Sequence, residues 1–222
     1  MNVLFLSNNL EVTKPLYDWL CETENPENVH IWDAPLTVEL LNSDTLSAIE
    51  FVVSYNYRYI INRNIIEMFP KKIINLHISL LPWNRVASPN VWSFIEDTPK
   101  GVTIHHVDKG LDTGDILFQR QIFFDEDVET LATSYNKLHV EIQQLFQENW
   151  EAIKNGCVRP KKQIMNHTKE ETNELMHIYN IDWDETIQSL KQKISCQLET
   201  FTPPPPKIIE ANKIWLVANA AA

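Results

Sequence analysis

Short apolar runs alternate with longer amphipathic stretches along the first half of the chain. Four of these runs each predict a strand, at residues 2–7, 29–34, 51–54 and 71–79. Residues 12–22 have helical spacing, which predicts a helix with Thr13 as its cap and Pro15 in its first turn. Residues 57–69 predict a loop and a short helix that ends before Pro70. Alternation of strand and helix is typical of βαβ units and of a parallel sheet.

The second half of the pattern completes an α/β fold. A helix is predicted to open near Pro89, and residues 101–108 and 116–124 are rich in strand-forming side chains. Apolar residues recur at helical spacing from 130 to 153, which predicts one long amphipathic helix. We therefore expect a Rossmann-like, mostly parallel sheet with flanking helices.

The end of the chain has a different pattern and is predicted to form a small appendage, residues 181–222, after a catalytic core at 1–180. Residues 184–199 have helical spacing. Four consecutive prolines at 203–206 predict a stiff, extended connector. Two apolar runs within 207–217 predict a β-hairpin, and the chain ends in an alanine-rich tail whose origin the sequence does not reveal.

Composition limits the classes of protein that this chain can represent. Its 222 residues are 44% hydrophobic, which is enough for a packed core, and no apolar run approaches the length of a membrane span. The formal net charge of -11 argues against nucleic acid as a partner. Three cysteines without a CxxC pair, and an N-terminus without the pattern of a signal peptide, predict a cytoplasmic protein without disulfides or zinc.

Three polar residues form a candidate catalytic group. Asn75 and His77 lie two residues apart on a predicted strand, so their side chains should point to the same face. Asp112 follows about 35 residues later, in a predicted loop between Gly110 and Gly114. In a parallel sheet, loops and strand ends meet at the carboxyl edge, where ligands bind. The pattern therefore predicts that an amide, an imidazole and a carboxylate converge there.

These three groups suit acyl transfer. An amide donates to an oxyanion, an imidazole takes up a proton near neutral pH, and a carboxylate orients the imidazole. The chain has no GxSxG elbow and no cysteine near these residues in sequence, so the acceptor should be an external amine or water. It also lacks GxGxxG and GxxxxGK[ST], which argues against dinucleotide and P-loop chemistry.

The motif NLHISLLP at 75–82, followed by GVTIHHVDKGLDTGDIL at 101–117, resembles the folate-dependent formyltransferases. The resemblance covers roughly residues 1–150. It implies catalysis by the asparagine, histidine and aspartate above, with N10-formyltetrahydrofolate as co-substrate and no metal. Segments 54–61 and 107–115 would line the pterin pocket. The implied folate-binding residues are Arg58, Tyr59, Ile60, Val107, Asp108, Lys109 and Leu111.

The segments PWNR, SPNVWSF and DTPKGVTIHHVD are most similar to those of sugar N-formyltransferases. This likeness implies a nucleotide-linked amino sugar as acceptor, in particular dTDP-4-amino-4,6-dideoxyglucose, a role in O-antigen biosynthesis, and a homodimer formed through the hairpin. Val86 stands where the family usually has glycine, so this loop should differ locally if that position needs a positive φ. The implied substrate-binding residues are Ser7, Asn8, Asn9, Tyr55, Trp83, Asn84 and Arg85.

Several alternatives stay open. Water as acceptor would make the protein a formyltetrahydrofolate hydrolase, and methionyl-tRNA or glycinamide ribonucleotide would be other amine acceptors. A binding module without catalysis is a third class, which the intact trio disfavours. The choices between the 3- and 4-amine and between dTDP and UDP are undecided. Trp83 either stacks on a base or packs, Arg85 is either a diphosphate anchor or a surface ion pair, and of His105 and His106 one should face the cleft edge.

Overall fold

A six-stranded sheet forms the centre of the fold in the computed structural model, which describes residues 1–44, 46–85, 88–164 and 181–200. Its strands are β1 Val3–Leu6, β2 Val29–Trp32, β3 Phe51–Tyr55, β4 Ile73–His77, β5 Gly101–His106 and β6 Ile116–Gln121. Their order across the sheet is β2-β1-β3-β4-β5-β6. The first four are parallel, whereas β5 and β6 are antiparallel to their neighbours. The predicted mostly parallel α/β fold is confirmed.

Helices cover both faces of this sheet. They are α1 Leu10–Glu24, α2 Val38–Leu41, α3 Arg63–Met68, α4 Pro89–Ile95, α5 Leu131–Lys154 and α6 Ile187–Thr200, with a short 3₁₀ turn at Pro26–Asn28. Sequence pattern missed α2, because four residues are too few to show a helical period. In the described part of the chain, no helix combines the length and apolar character needed to cross a membrane.

The first helix begins earlier than its hydrophobic spacing indicates. Asn9, not Thr13, is the N-cap, and its side chain accepts from the Val12 N–H at 3.4 Å. The Thr13 hydroxyl instead bonds the Ser7 hydroxyl at 2.8 Å and the Asn9 carbonyl at 2.9 Å. Pro15 consequently lies inside the helix rather than in its first turn. Both predictions were wrong because Asn9, four residues before Thr13, is the stronger cap.

The core lies on both faces of the sheet because successive strand residues point in opposite directions. In β1, Val3 and Phe5 belong to the cluster beneath α1 and α5, whereas Leu4 and Leu6 belong to the cluster on the α3 side. All four side chains are fully buried. Burial on both faces explains why the central strands read as continuous apolar runs.

The C-terminal helix α6 packs against the start of α5 and against α4. Its residues Ile187, Leu190 and Ile194 share a buried cluster with Val91 and Phe94. An antiparallel bridge from Thr130 to Thr186 anchors the segment that precedes the helix. The predicted helix is present, whereas the expected proline connector, hairpin and alanine-rich tail lie outside the described residues. The boundary at residue 180 and the homodimer remain predictions.

Candidate active site

The end of β4 places an amide and an imidazole at the carboxyl edge of the sheet. Asn75 and His77 both line one cleft there, as expected for positions i and i+2 of a strand. On the other side, β4 pairs with the antiparallel β5, in a register that sets Asn75 opposite His105. The site therefore forms where the parallel part of the sheet meets its antiparallel part.

Asp112 joins these residues from the loop between β5 and β6. Its Oδ1 accepts from Asn75 Nδ2 at 3.2 Å, and its Oδ2 lies 3.6 Å from His77 Nδ1. His105 Nε2 lies 3.4 Å from the same Oδ1. The structure thus brings together the three predicted catalytic residues, and it adds His105, to which the sequence assigned no role. Only the antiparallel register of β5 decides which histidine faces the site.

Burial and charge act together on this group. Burial disfavours ionisation of Asp112, but His77, the hydrogen bond from His105 and the one from Asn75 outweigh it and hold the pKa of the carboxyl well below its usual range. Burial lowers the pKa of His77, an effect that the Asp112 charge partly offsets. The pair consists of a carboxylate and a neutral imidazole near pH 7.

Both ring nitrogens of His77 face hydrogen-bond acceptors. Nδ1 faces the Asp112 carboxylate, and Nε2 lies 3.3 Å from the Asn84 carbonyl oxygen. A neutral ring has one N–H and satisfies one acceptor, whereas a protonated ring has two and satisfies both. Protonation of His77 therefore gives each of these acceptors a donor, and exchange of that proton with a substrate requires one ring nitrogen to leave its acceptor.

The loop that carries Asp112 has a tightly constrained backbone. Asp112 has a φ of 50°, in the left-handed region. A Cβ at Gly114 would lie 1.8 Å from the His106 carbonyl oxygen, so only glycine fits there. The Asp108 carboxylate accepts from the Gly110 N–H at 3.0 Å and from the Thr113 hydroxyl at 2.5 Å. Asp108, expected to bind folate, also organises this loop.

Two clefts meet at this constellation. The smaller, about 300 Å³, is bounded by the segment after β3 and by the Asp112 loop. Asn75, Asp112 and His105 also line it. All seven residues expected at a folate pocket line it: Arg58, Tyr59, Ile60, Val107, Asp108, Lys109 and Leu111.

The larger cleft, about 680 Å³, is also lined by Asn75. It includes His77, Asn8, Asn9 and the start of α4, and it shares several residues with the smaller one: Tyr57, Arg58, Asn75, Leu111 and Asp112. Two molecules bound in the two clefts would therefore approach each other at the Asn75 amide.

Five residues expected to contact substrate do not line either cleft. Ser7 is fully buried, and its hydroxyl bonds Thr13. The Tyr55 ring is also fully buried, and its hydroxyl lies 2.6 Å from His139 Nδ1. The residues that follow Ser7, which are Asn8 and Asn9, do reach the larger cleft, as does Asn56, which follows Tyr55. The polar residues just beyond Ser7 and Tyr55 therefore face this cleft, whereas Ser7 and Tyr55 face the core.

The loop after β4 likewise turns its expected contacts inward. The Asn84 amide donates to Glu96 at 3.2 Å and accepts from the Thr98 hydroxyl at 2.6 Å. The Trp83 ring is half-buried outside both clefts. Arg85 donates to Gln163 Oε1 at 2.5 Å. Val86 lies outside the described residues.

An aromatic pair that sequence reasoning did not assign to the site lines the larger cleft. Tyr135 of α5 and Trp183, which precedes α6, meet edge to face with ring centroids 5.8 Å apart. The Trp183 carbonyl accepts from the Ala132 N–H at 3.1 Å, which anchors the segment. Tyr135 belongs to the apolar stripe of the long helix α5, a pattern that is typical of core residues. Trp183 lacks any local signal, since tertiary packing alone brings it there.

Comparison with known proteins gives consistent matches. The family model described as Formyl transferase matches residues 37–149. The formyltransferase PseJ from Anoxybacillus kamchatkensis, solved with UDP-4,6-dideoxy-4-formamido-L-AltNAc and tetrahydrofolate, is 40% identical. That alignment covers 85% of this chain and 96% of PseJ, with a TM-score of 0.73.

Two further matches have lower sequence identity. A 4-N formyltransferase from Francisella tularensis shares the fold at 20% identity and a TM-score of 0.64, over 92% of this chain and 89% of its own. Methionyl-tRNA formyltransferase from Desulfotalea psychrophila is 33% identical over 71% of this chain and 49% of its own length. The chain thus spans about half the length of that relative.

Within the described ranges, no group of three or more His, Cys, Asp or Glu side chains is placed to hold a metal.

Proposed function

This chain belongs to the formyl transferase family, and on that premise we propose that it moves a formyl group from N10-formyltetrahydrofolate to the amine of a nucleotide-linked amino sugar. The junction of two clefts at Asn75 and Asp112 is the observation that carries the proposal. A donor and an acceptor held in separate clefts can react directly, without a covalent enzyme intermediate.

The smaller cleft suits the folate. Exposed apolar side chains of Ile60 and Leu111 stand at its walls, beside the Tyr59 ring. Arg58 and Lys109 belong to the same lining and supply positive charge for the carboxylates of a folate glutamate tail. The presence of tetrahydrofolate in the 40% identical PseJ supports this assignment.

The larger cleft suits a nucleotide-linked sugar. Its volume of about 680 Å³ falls within the range of small-molecule sites. Tyr135 and Trp183 offer an aromatic wall against which a nucleobase can stack. PseJ was solved with a UDP-linked 4-formamido sugar, so we propose a UDP-linked 4-amino-4,6-dideoxyhexose as acceptor. The dTDP-linked sugar expected from sequence is the alternative.

His77 removes the proton from the sugar ammonium, and the free amine attacks the formyl carbon. The new C–N bond gives a tetrahedral oxyanion, to which Asn75 Nδ2 donates and to which protonated His77 donates through Nε2 once this nitrogen has left the Asn84 carbonyl. Asp112 keeps the imidazole oriented and stabilises its charge. Collapse then breaks the bond from the formyl carbon to folate N10, which takes up a proton. One proton leaves for solvent in each turnover.

Release of tetrahydrofolate tests the proposal. The enzyme would be incubated with N10-formyltetrahydrofolate and, in separate reactions, the UDP-linked amino sugar, the dTDP-linked amino sugar, methionyl-tRNA or no acceptor. Release that depends on a sugar supports the proposal. Equal release without acceptor would identify a hydrolase, and release that requires methionyl-tRNA would assign the chain to the other acceptor class. Cytoplasmic location and a role in O-antigen synthesis remain predictions.

A further inference from the structure

Gln163 lies outside the segment that the family model matches and lines neither cleft, yet its side chain joins two loops of the site. Its Nε2 donates to the carbonyl oxygens of Asp112 at 2.9 Å and of Gly114 at 2.7 Å. Its Oε1 accepts from the Arg85 guanidinium at 2.5 Å. One partly buried amide therefore contacts both the loop of the catalytic carboxylate and the loop that follows β4.

The backbone near Gln163 is anchored to the sheet. Lys161 and Ile116 exchange two backbone hydrogen bonds of 2.8 Å each, as an antiparallel bridge at the start of β6. This bridge extends the sheet and brings the Gln163 amide to the Asp112 loop. Strand β6, which begins directly after the Asp112 loop, thus anchors the segment that carries Gln163, and Gln163 in turn bonds the Asp112 loop.

The Asp112 loop needs such a support. Asp112 has a left-handed backbone, which a residue other than glycine keeps only where its surroundings determine it. Its carboxylate lies 3.6 Å from His77 Nδ1, so a small displacement of the loop would weaken the pairing. A misplacement of about 1 Å in a catalytic group can cost roughly 100-fold in rate.

We propose that Gln163 is a positioning residue for formyl transfer, which holds the Asp112 carboxylate against His77 and ties that loop to Arg85. The inference rests on the proposed function, because it assigns a role within that site. Only an amide side chain meets all of these contacts, since it donates two hydrogens at one end and accepts at the other.

Two substitutions separate the two ends of this link. Gln163→Leu removes all three hydrogen bonds at similar size. Gln163→Glu keeps an acceptor for Arg85, but it loses the donors and places negative charge beside the carbonyl oxygens of Asp112 and Gly114. Lys162→Gln alters the exposed neighbouring residue and serves as the matched control.

NMR titration of the His77 ring measures the positioning without any turnover. The charged and titratable groups that face His77 are Asp112 from its loop, His105 from β5 and Arg85 from the loop after β4. Displacing Asp112 removes the group that favours the imidazolium, so the proton affinity of His77 should fall. We expect a decrease of at least about threefold in Gln163→Leu and Gln163→Glu, toward the value in Asp112→Asn, and no change in Lys162→Gln.

Steady-state kinetics supply the second measurement. Both Gln163 variants should lose roughly 10–100-fold in kcat, since a misplacement of about 1 Å can cost roughly 100-fold, with little change in KM for the folate. If Gln163→Leu lost activity while Gln163→Glu kept it, the contact with Arg85 would be the one that matters. That result would overturn the proposed role of Gln163 in holding the Asp112 loop. An unchanged His77 titration in Gln163→Leu would overturn the proposal outright.

The two proposals fail in different ways. If the wild-type enzyme released no tetrahydrofolate with any acceptor, the proposed function would fail, while the His77 titration would still decide whether Gln163 positions Asp112. If Asp112→Asn itself left the His77 titration unchanged, the carboxylate would not act on His77, and the positioning role would fall with it.

Discussion

Asn75 Nδ2 donates to Asp112 Oδ1 at 3.2 Å, although 37 residues separate the two in the chain. The contact lies where the smaller and the larger cleft meet. The same nitrogen lies 3.4 Å from His105 Nε2. An amide nitrogen has two hydrogens, so one can stay on the carboxylate while the other turns from His105 to an oxyanion.

Removing this donor should affect the chemical step. Asn75→Ala is expected to lower kcat by roughly 100–1000-fold with little change in KM for either substrate, since the amide acts mainly on the transition state. Asn64→Ala, on the exposed side of α3, makes the same chemical change away from the site and should leave kcat unchanged. Normal turnover by Asn75→Ala would contradict the mechanism.

Asp112→Asn should move the pH profile in a defined direction. The carboxylate favours the protonated form of His77, so its loss lowers the pKa of His77 further. Since the base must be deprotonated to act, the acid limb of kcat/KM should shift to lower pH while the plateau rate falls. The wild-type enzyme is measured with the same amino sugar, so ionisation of the substrate amine contributes equally to both pH profiles. An acid limb at the same pH in both proteins would argue against His77 as the base.

Trp183 should determine acceptor affinity. Stacking of a base on an aromatic side chain contributes about 1–3 kcal/mol, so Trp183→Ala should raise KM for the nucleotide sugar by roughly 5–150-fold. KM for the folate should not change, because Trp183 lines only the larger cleft. Trp183→Phe should retain most of the affinity. Phe123→Ala, which truncates an exposed aromatic residue outside both clefts, is the control.

The two glycines of the Asp112 loop should differ in their tolerance to alanine. A Cβ at Gly114 meets the backbone carbonyl of His106 at 1.8 Å, whereas a Cβ at Gly110 meets the side chain of Thr113. Backbone cannot move aside as a side chain does, so Gly114→Ala should displace Asp112 and lower kcat at least about tenfold more than Gly110→Ala. Equal kcat values for the two variants would show that the loop is not constrained there.

His139 should make the fold sensitive to acid. Burial lowers its pKa to about 4, against about 6.5 in an unfolded chain. Between these two pH values, His139 is protonated in the unfolded chain but neutral in the folded protein. The free energy of unfolding therefore has its full value from this group above about pH 6.5, and it falls as the pH drops toward 4. The expected loss is on the order of 2 kcal/mol at about pH 5. His139→Gln should reduce the decrease in Tm between about pH 7 and pH 5, and an identical decrease would refute this.

The sequence determined most of the elements and which three residues form the candidate catalytic trio. Strands and helices follow from local spacing of apolar residues, and Asn75 and His77 share a face because strand side chains alternate. The glycines on either side of Asp112 indicated a tight loop, because glycine permits backbone conformations that other residues resist. The short helix Val38–Leu41 escaped prediction because it is shorter than the period that would reveal it.

Tertiary structure alone decided which other side chains enter the site. Tyr55 and Ser7 belong to segments that border the clefts, yet both point into the core. His105, Trp183 and Gln163 reach the site through an antiparallel register, a returning C-terminal segment and a backbone bridge. Each of these contacts joins residues far apart in the chain. Local pattern reports how a segment folds, whereas the packing of segments against one another sets which side chains meet.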